Sequence, residues 1–81
     1  MKIKVKFFAS YREIAGQPEV LMEVKEGTTL REFMGDLRRK YPRLRGLTDT
    51  IIASVNKRYA RDDLMLKDGD EVALLPPVSG G

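Results

Sequence analysis

Apolar and polar residues alternate strictly at the start of the chain. Ile3, Val5 and Phe7 fall on one side of an extended segment and Lys2, Lys4 and Lys6 on the other. That period of two predicts a half-buried strand. Ser10-Tyr11-Arg12-Glu13 has the Ser-x-x-Glu spacing of a capping box and predicts a short helix, stopped at Gly16. Val20-Leu21-Met22-Glu23-Val24 predicts a second strand, closed by a turn at Glu26-Gly27. The period then changes. Leu30, Phe33, Met34, Leu37 and Tyr41 recur at helical spacing behind a second capping box, Thr29-Leu30-Arg31-Glu32. Pro42 ends that helix near Tyr41, and Gly35 inside it suggests close packing against a neighbour. Ile51 to Val55 predicts a third strand, Asn56-Lys57-Arg58 a turn, Tyr59-Ala60 a short fourth strand, and Glu71 to Leu75 the last, after the turn at Lys67-Asp68-Gly69-Asp70.

The order β, short α, β, long α, β, short β, β provides one apolar helical stripe, enough to cover one face of one sheet. With the first and last strands adjacent in the middle, this is an α+β fold of β-grasp (ubiquitin-like) type. We expect a mixed sheet of four to five strands over residues 1–75 and an extended tail over 76–81, leaving from a central strand.

Alternation also predicts what is left outside. If Ile3, Val5, Phe7, Val72 and Leu74 face the core, Phe8 and Leu75 face away from it. Tyr59 lies in the short strand near the same surface. These three form a predicted exposed apolar cluster beside the tail, the kind of patch that docks a partner.

Composition narrows the chemistry. The 81 residues contain no cysteine and no histidine, so disulfides, thiol nucleophiles and the usual neutral-pH base and metal ligand are excluded. We expect no self-sufficient enzyme, no bound cofactor and no metal site; Asp62, Asp63, Asp68, Asp70 and Glu71 lack EF-hand spacing and read as a solvated turn. No apolar run is long enough to span a bilayer, and the charged first strand is unlike a signal peptide, so a cytoplasmic protein without membrane partners is expected. Arg38, Arg39, Lys40, Arg43 and Arg45 cluster at the end of the main helix. Cations there suit the helix dipole; an acidic partner or nucleic acid is the other reading. Nucleic acid is not expected, because the only aromatic nearby, Tyr41, belongs to the buried stripe.

The segment after the last strand is Pro76-Pro77-Val78-Ser79-Gly80-Gly81. The prolines cannot join a ladder and favour extended geometry, and the glycines have no side chain to obstruct a narrow channel. Such a segment presents a slender α-carboxylate on a stiff spacer.

Phe7-Phe8-Ala9, Arg12-Glu13-Ile14-Ala15-Gly16, Val55-Asn56, Asp68-Gly69-Asp70-Glu71-Val72-Ala73 and the Pro-Pro-Val-Ser-Gly-Gly ending together resemble the sulfur-carrier family. That family includes the small subunit of molybdopterin synthase and the thiazole-pathway carrier, and it shares the ubiquitin fold; the Pro-Pro spacer favours the molybdopterin branch. The resemblance implies that Gly81 is the reacting residue. A ubiquitin-activating-type adenylating enzyme would use ATP to activate its carboxylate, and a sulfur donor would convert it to a thiocarboxylate. Pro76, Pro77, Val78, Ser79 and Gly80 would insert into the large catalytic subunit of the synthase, with sulfur passing to cyclic pyranopterin monophosphate for the molybdenum or tungsten cofactor. Phe8, Tyr59 and Leu75 would bind partners, and the assembly implied is a heterotetramer. Two other readings stay open: a ubiquitin-like modifier joined to lysines through Gly81, or a carrier for thiazole or tRNA thiolation. A non-covalent β-grasp module is the third class.

Overall fold

In the computed structural model, which describes residues 1–46 and 52–75, five strands form one mixed sheet in the order β2-β1-β5-β3-β4. They are β1 (Lys2–Phe7), β2 (Glu19–Glu23), β3 (Ile52–Val55), β4 (Arg58–Tyr59) and β5 (Glu71–Leu75), with helices α1 (Ser10–Ala15) and α2 (Leu30–Lys40) and a 3-10 turn over Pro42–Gly46. The β-grasp arrangement expected from the sequence is therefore present, with β1 and β5 parallel in the middle. Ile51, assigned above to the third strand, lies outside the described residues.

The alternation sets the register. Val5 pairs with Val72 and Phe7 with Leu74 across the parallel seam, and Val55 and Ala53 continue those rows on β3. These side chains and Ile3 turn to one face, where Leu30, Phe33, Met34 and Leu37 of α2 complete the core with Tyr11 and Leu44. A surface helix with one apolar stripe has its stability in this packing rather than in propensity.

The two capping boxes differ. At Thr29 both halves form, with the Glu32 amide donating to Thr29 Oγ1 and the Thr29 amide to Glu32 Oε1. Those bonds favour the ionised carboxylate and hold its pKa below the usual value. At Ser10 no side-chain cap forms. Ser10 is the first helical residue, and the cap position belongs to Ala9, whose φ of 52° is a left-handed geometry unusual for alanine. Backbone bonds from Tyr11 to Phe8 and from Arg12 to Ala9 replace the missing cap.

Gly35 also departs from expectation. A Cβ built there meets nothing within 4 Å, so the glycine serves no close approach. It costs helix stability without a packing return, and Gly35→Ala is expected to stabilise the fold by about 1 kcal/mol. A urea midpoint that rises with an unchanged slope would register this.

The turn between β3 and β4 places Asn56 and Lys57 at φ of 52° and 69°, the mirror-turn geometry whose twist matches a hairpin. Asn56 then ties this turn to β5. Its Oδ1 accepts from the Glu71 amide (3.0 Å) and its Nδ2 donates to Asp70 (2.9 Å). Asp70 accepts from the Lys67 amide and Asp68 from the Lys2 amide. These acids are thus turn-forming acceptors rather than merely solvated charges.

Candidate functional site: the open sheet face and the root of the tail

α2 covers one face of the sheet and leaves the other open. Rows across the open face follow from the register. One row carries Lys6, Ala73, Ser54 and Tyr59, and the next toward the end of β5 carries Leu75 and Ile52. Phe8 lies one residue beyond the Phe7–Leu74 pair, at the same end of the central strands as Leu75. The strained backbone at Ala9 turns the chain away immediately afterwards.

Phe8 and Tyr59 are exposed as expected, at 43% and 79%. Leu75 is half-buried, because Ile52 stands beside it across β3. Phe8 and Leu75 thus belong together. Tyr59 sits on edge strand β4, two strands from β5, or about 10 Å at the usual strand spacing. Ser54, buried, adjoins Tyr59, and the rest of the space between is filled by half-buried Ile52 and Ala73. Sequence reading missed these two, although Val55 and Ala53 facing inward require Ile52 and Ser54 to face out. The surface is a diagonal apolar band rather than a tight triplet.

The band has a polar border. Lys6 Nζ lies 2.9 Å from Glu71 Oε1 on the same face. The hydrogen bond to Lys6 holds the Glu71 carboxyl below its ordinary value, and the same bond raises the Lys6 ammonium. Both groups are therefore ionised at neutral pH, framing the band on the side away from the tail. Leu21, also exposed on this face, stands beyond Lys4 on β2 and outside the band.

The tail's root is held firmly. β5 is bonded to β1 on one side and β3 on the other, with Ile52 opposite Leu75 itself. Pro76, Pro77, Val78, Ser79, Gly80 and Gly81, the tail and reacting residues expected from the sequence, lie outside the described residues. What the described residues supply is a rigid central strand that delivers the chain to that point, with an apolar band alongside.

Among the described residues no group of histidine, cysteine and carboxylate side chains could hold a metal ion, and no helix is long and apolar enough to cross a membrane.

Comparison with known proteins agrees with the fold. The chain is 40% identical over 83 residues to the molybdopterin synthase sulfur carrier subunit of Chlamydomonas reinhardtii, covering 100% of both. Among solved structures it resembles small archaeal modifier protein 1 of Haloferax volcanii (TM-score 0.86, 31% identity, 100% of each chain). It also resembles a chain in the complex of subunits 1 and 2 of the molybdopterin-converting factor from Helicobacter pylori (TM-score 0.71, 28% identity, 100% of each chain). Its residues 5–81 match the signature of the ThiS family, and the chain belongs to that family.

Proposed function

We propose that this protein is the sulfur-carrying small subunit of a molybdopterin synthase, non-catalytic by itself. The observation that carries the reading is similarity over the full length to a curated carrier of that name, reaching through the Gly80-Gly81 end. The fold supports it physically. A shuttle needs its reacting group on a thin tether and its docking surface fixed relative to the tether's base. β5, bonded on both sides, meets the second need.

The chemistry divides between carrier and partners. An adenylating enzyme joins the Gly81 carboxylate to the α-phosphate of ATP and releases pyrophosphate. Sulfide released by a sulfur donor attacks the acyl-adenylate carbonyl, the bond to phosphate breaks, AMP leaves, and a thiocarboxylate remains. The tail then enters the large subunit of a heterotetrameric synthase, where the sulfur passes to cyclic pyranopterin monophosphate and water restores the carboxylate. The acids and bases for these steps belong to the partners, consistent with a chain that has neither histidine nor cysteine. These are reactions of the cytoplasm, and ATP is bound by the activating enzyme, not by the carrier.

A second reading has one observation in its favour, the likeness to an archaeal modifier protein. In it the activated Gly81 forms isopeptide bonds with lysines of targets. The intact mass of the chain from its native host, purified so that labile acyl groups survive, separates the two. Exchange of one oxygen for sulfur at the C-terminus is the expected result. A plain carboxylate together with lysine-linked conjugates would replace the carrier reading with the modifier one.

A further inference from the structure

The net charge of +3 conceals an uneven balance of charge along the molecule. At the N-terminal end of α2, the Arg31 amide donates to the carbonyl of Asp62 and the Leu30 amide to Leu64. From there the chain runs past Asp63 to Asp68 and Asp70, which flank the start of β1. Acids and cations are interleaved at this end, with Arg31 paired to Asp62, Arg61 to Asp63, and Lys67 beside Asp68. The other end of α2 is basic, with Arg38, Arg39 and Lys40 in its last turn and Arg43 in the turn that follows. Among the described residues only Arg39 of these four makes an ion pair, with Asp36.

Helix capping does not require so many cations. The dipole presents about half a charge at a helix C-terminus, and neighbouring like charges repel by a few tenths of a kcal/mol each. The surplus lies at a particular place. The Tyr41 ring packs edge-on against Phe7 with centroids 5.6 Å apart, and Lys40 stands 5.8 Å from the Tyr41 centroid. Phe7 pairs with Leu74, one residue from the last described position of β5. The basic end of α2 is therefore the end from which the tail departs, and it adjoins the Phe8–Leu75 part of the open face.

We propose that Arg38, Lys40 and Arg43 form a second docking surface, for aspartate and glutamate side chains at the mouth of the channel that receives the tail, in the large synthase subunit. This rests on the tail-insertion reading above. Residues 76–81 reach at most about 20 Å, so an inserted tail carries its reacting end well away from these cations. They therefore meet the channel's rim rather than nucleotide or pterin phosphate. Nucleic acid fits less well, because Tyr41 is half-buried against Phe7 and has Lys40 over its ring. An acidic rim facing a basic tail end would orient the encounter tail-first, an effect on association rate.

The test is association of the full chain with the large subunit, followed by stopped flow from low to physiological ionic strength. For Arg38→Gln/Lys40→Gln/Arg43→Gln, about a tenfold slower association at low salt is expected, with a flattened salt dependence and little change in dissociation. The thermal midpoint should stay level or rise as repulsion is relieved. A Lys25→Gln/Arg31→Gln/Lys57→Gln control, with the same charge removed at the opposite end, should associate like the wild type. Equal slowing in both variants would reduce the effect to net charge and overturn the proposal. So would an unchanged rate, or loss of binding to a labelled single-stranded RNA with synthase association intact. If the wild type neither associates nor acquires sulfur, the tail-insertion reading itself fails, and the steering surface goes with it.

Discussion

Deleting Gly81 is expected to abolish both activation by the adenylating enzyme and sulfur transfer, while the fold stays as it is. The deletion shortens the tether by one residue, roughly 3.5 Å, and withdraws the carboxylate from the position where ATP is attacked. Misplacing a reacting group by even 1 Å costs on the order of a hundredfold in rate, so a shift several times larger leaves no measurable turnover. Gly81→Ala tests the same point more gently. It keeps the length but sets a methyl group beside the attacked carbonyl, and a loss of about a hundredfold is expected. Stability should not move, since among the described residues the core is built from β1, β2, β3, β5 and α2 with Tyr11, Leu44 and Leu66, all of which precede the tail. Pyrophosphate exchange measures activation and intact mass measures thiocarboxylate formation; circular dichroism and a urea titration verify the fold. Normal activation of the shortened chain would remove tail chemistry from the account. A residue appended after Gly81 separates the non-covalent class, because a plain β-grasp binder tolerates it and a carrier or modifier does not.

Much of the fold is legible in the sequence because two periods are written cleanly into it. Ile3, Val5 and Phe7 at period two and Leu30, Phe33, Met34 and Leu37 at helical spacing leave little freedom once one sheet and one helix must share a core. What escapes the sequence depends on tertiary detail. The Ser10 capping box satisfies a local pattern, yet the backbone enters α1 through Ala9 at positive φ, so Ser10 falls inside the helix and its pattern is not used. Gly35 invites a packing explanation that only the empty space around it refutes. The apolar band is half visible: Phe8 and Leu75 stand out because they break alternation and Tyr59 by its place in the short strand, whereas Ile52 and Ala73 join them only through the β1–β5–β3 register. Register between distant strands is a property of the assembled sheet, and local spacing does not encode it.

That band carries the second large effect. Phe8→Asp is expected to weaken association with the large subunit about a hundredfold. Phe8 retains 43% of its surface in the free chain, and burying that remainder contributes about 1 kcal/mol. The larger part comes from the aspartate, a charge carried into an apolar contact without a partner, which adds about 2 kcal/mol or more. The sum, about 3 kcal/mol, corresponds to roughly a hundredfold in affinity and lies in the range of interface hot spots. Folding should be spared, because the Phe8 side chain points out of the core and its structural role, accepting from the Tyr11 amide, belongs to its backbone carbonyl. Tyr59→Asp should cost less than Phe8→Asp, since Tyr59 is at the rim of the band on β4, where water still reaches the new charge. Leu21→Asp supplies the control. Leu21 is more exposed than Phe8 and shares the open face, but it sits on β2 beyond Lys4, outside the band. If docking follows the tail, its substitution leaves affinity unchanged. Equal losses at Leu21 and Phe8 would mean that the whole open face is used, and no loss at Phe8 would take the band out of the interface. In either case the tail chemistry would still stand on its own test.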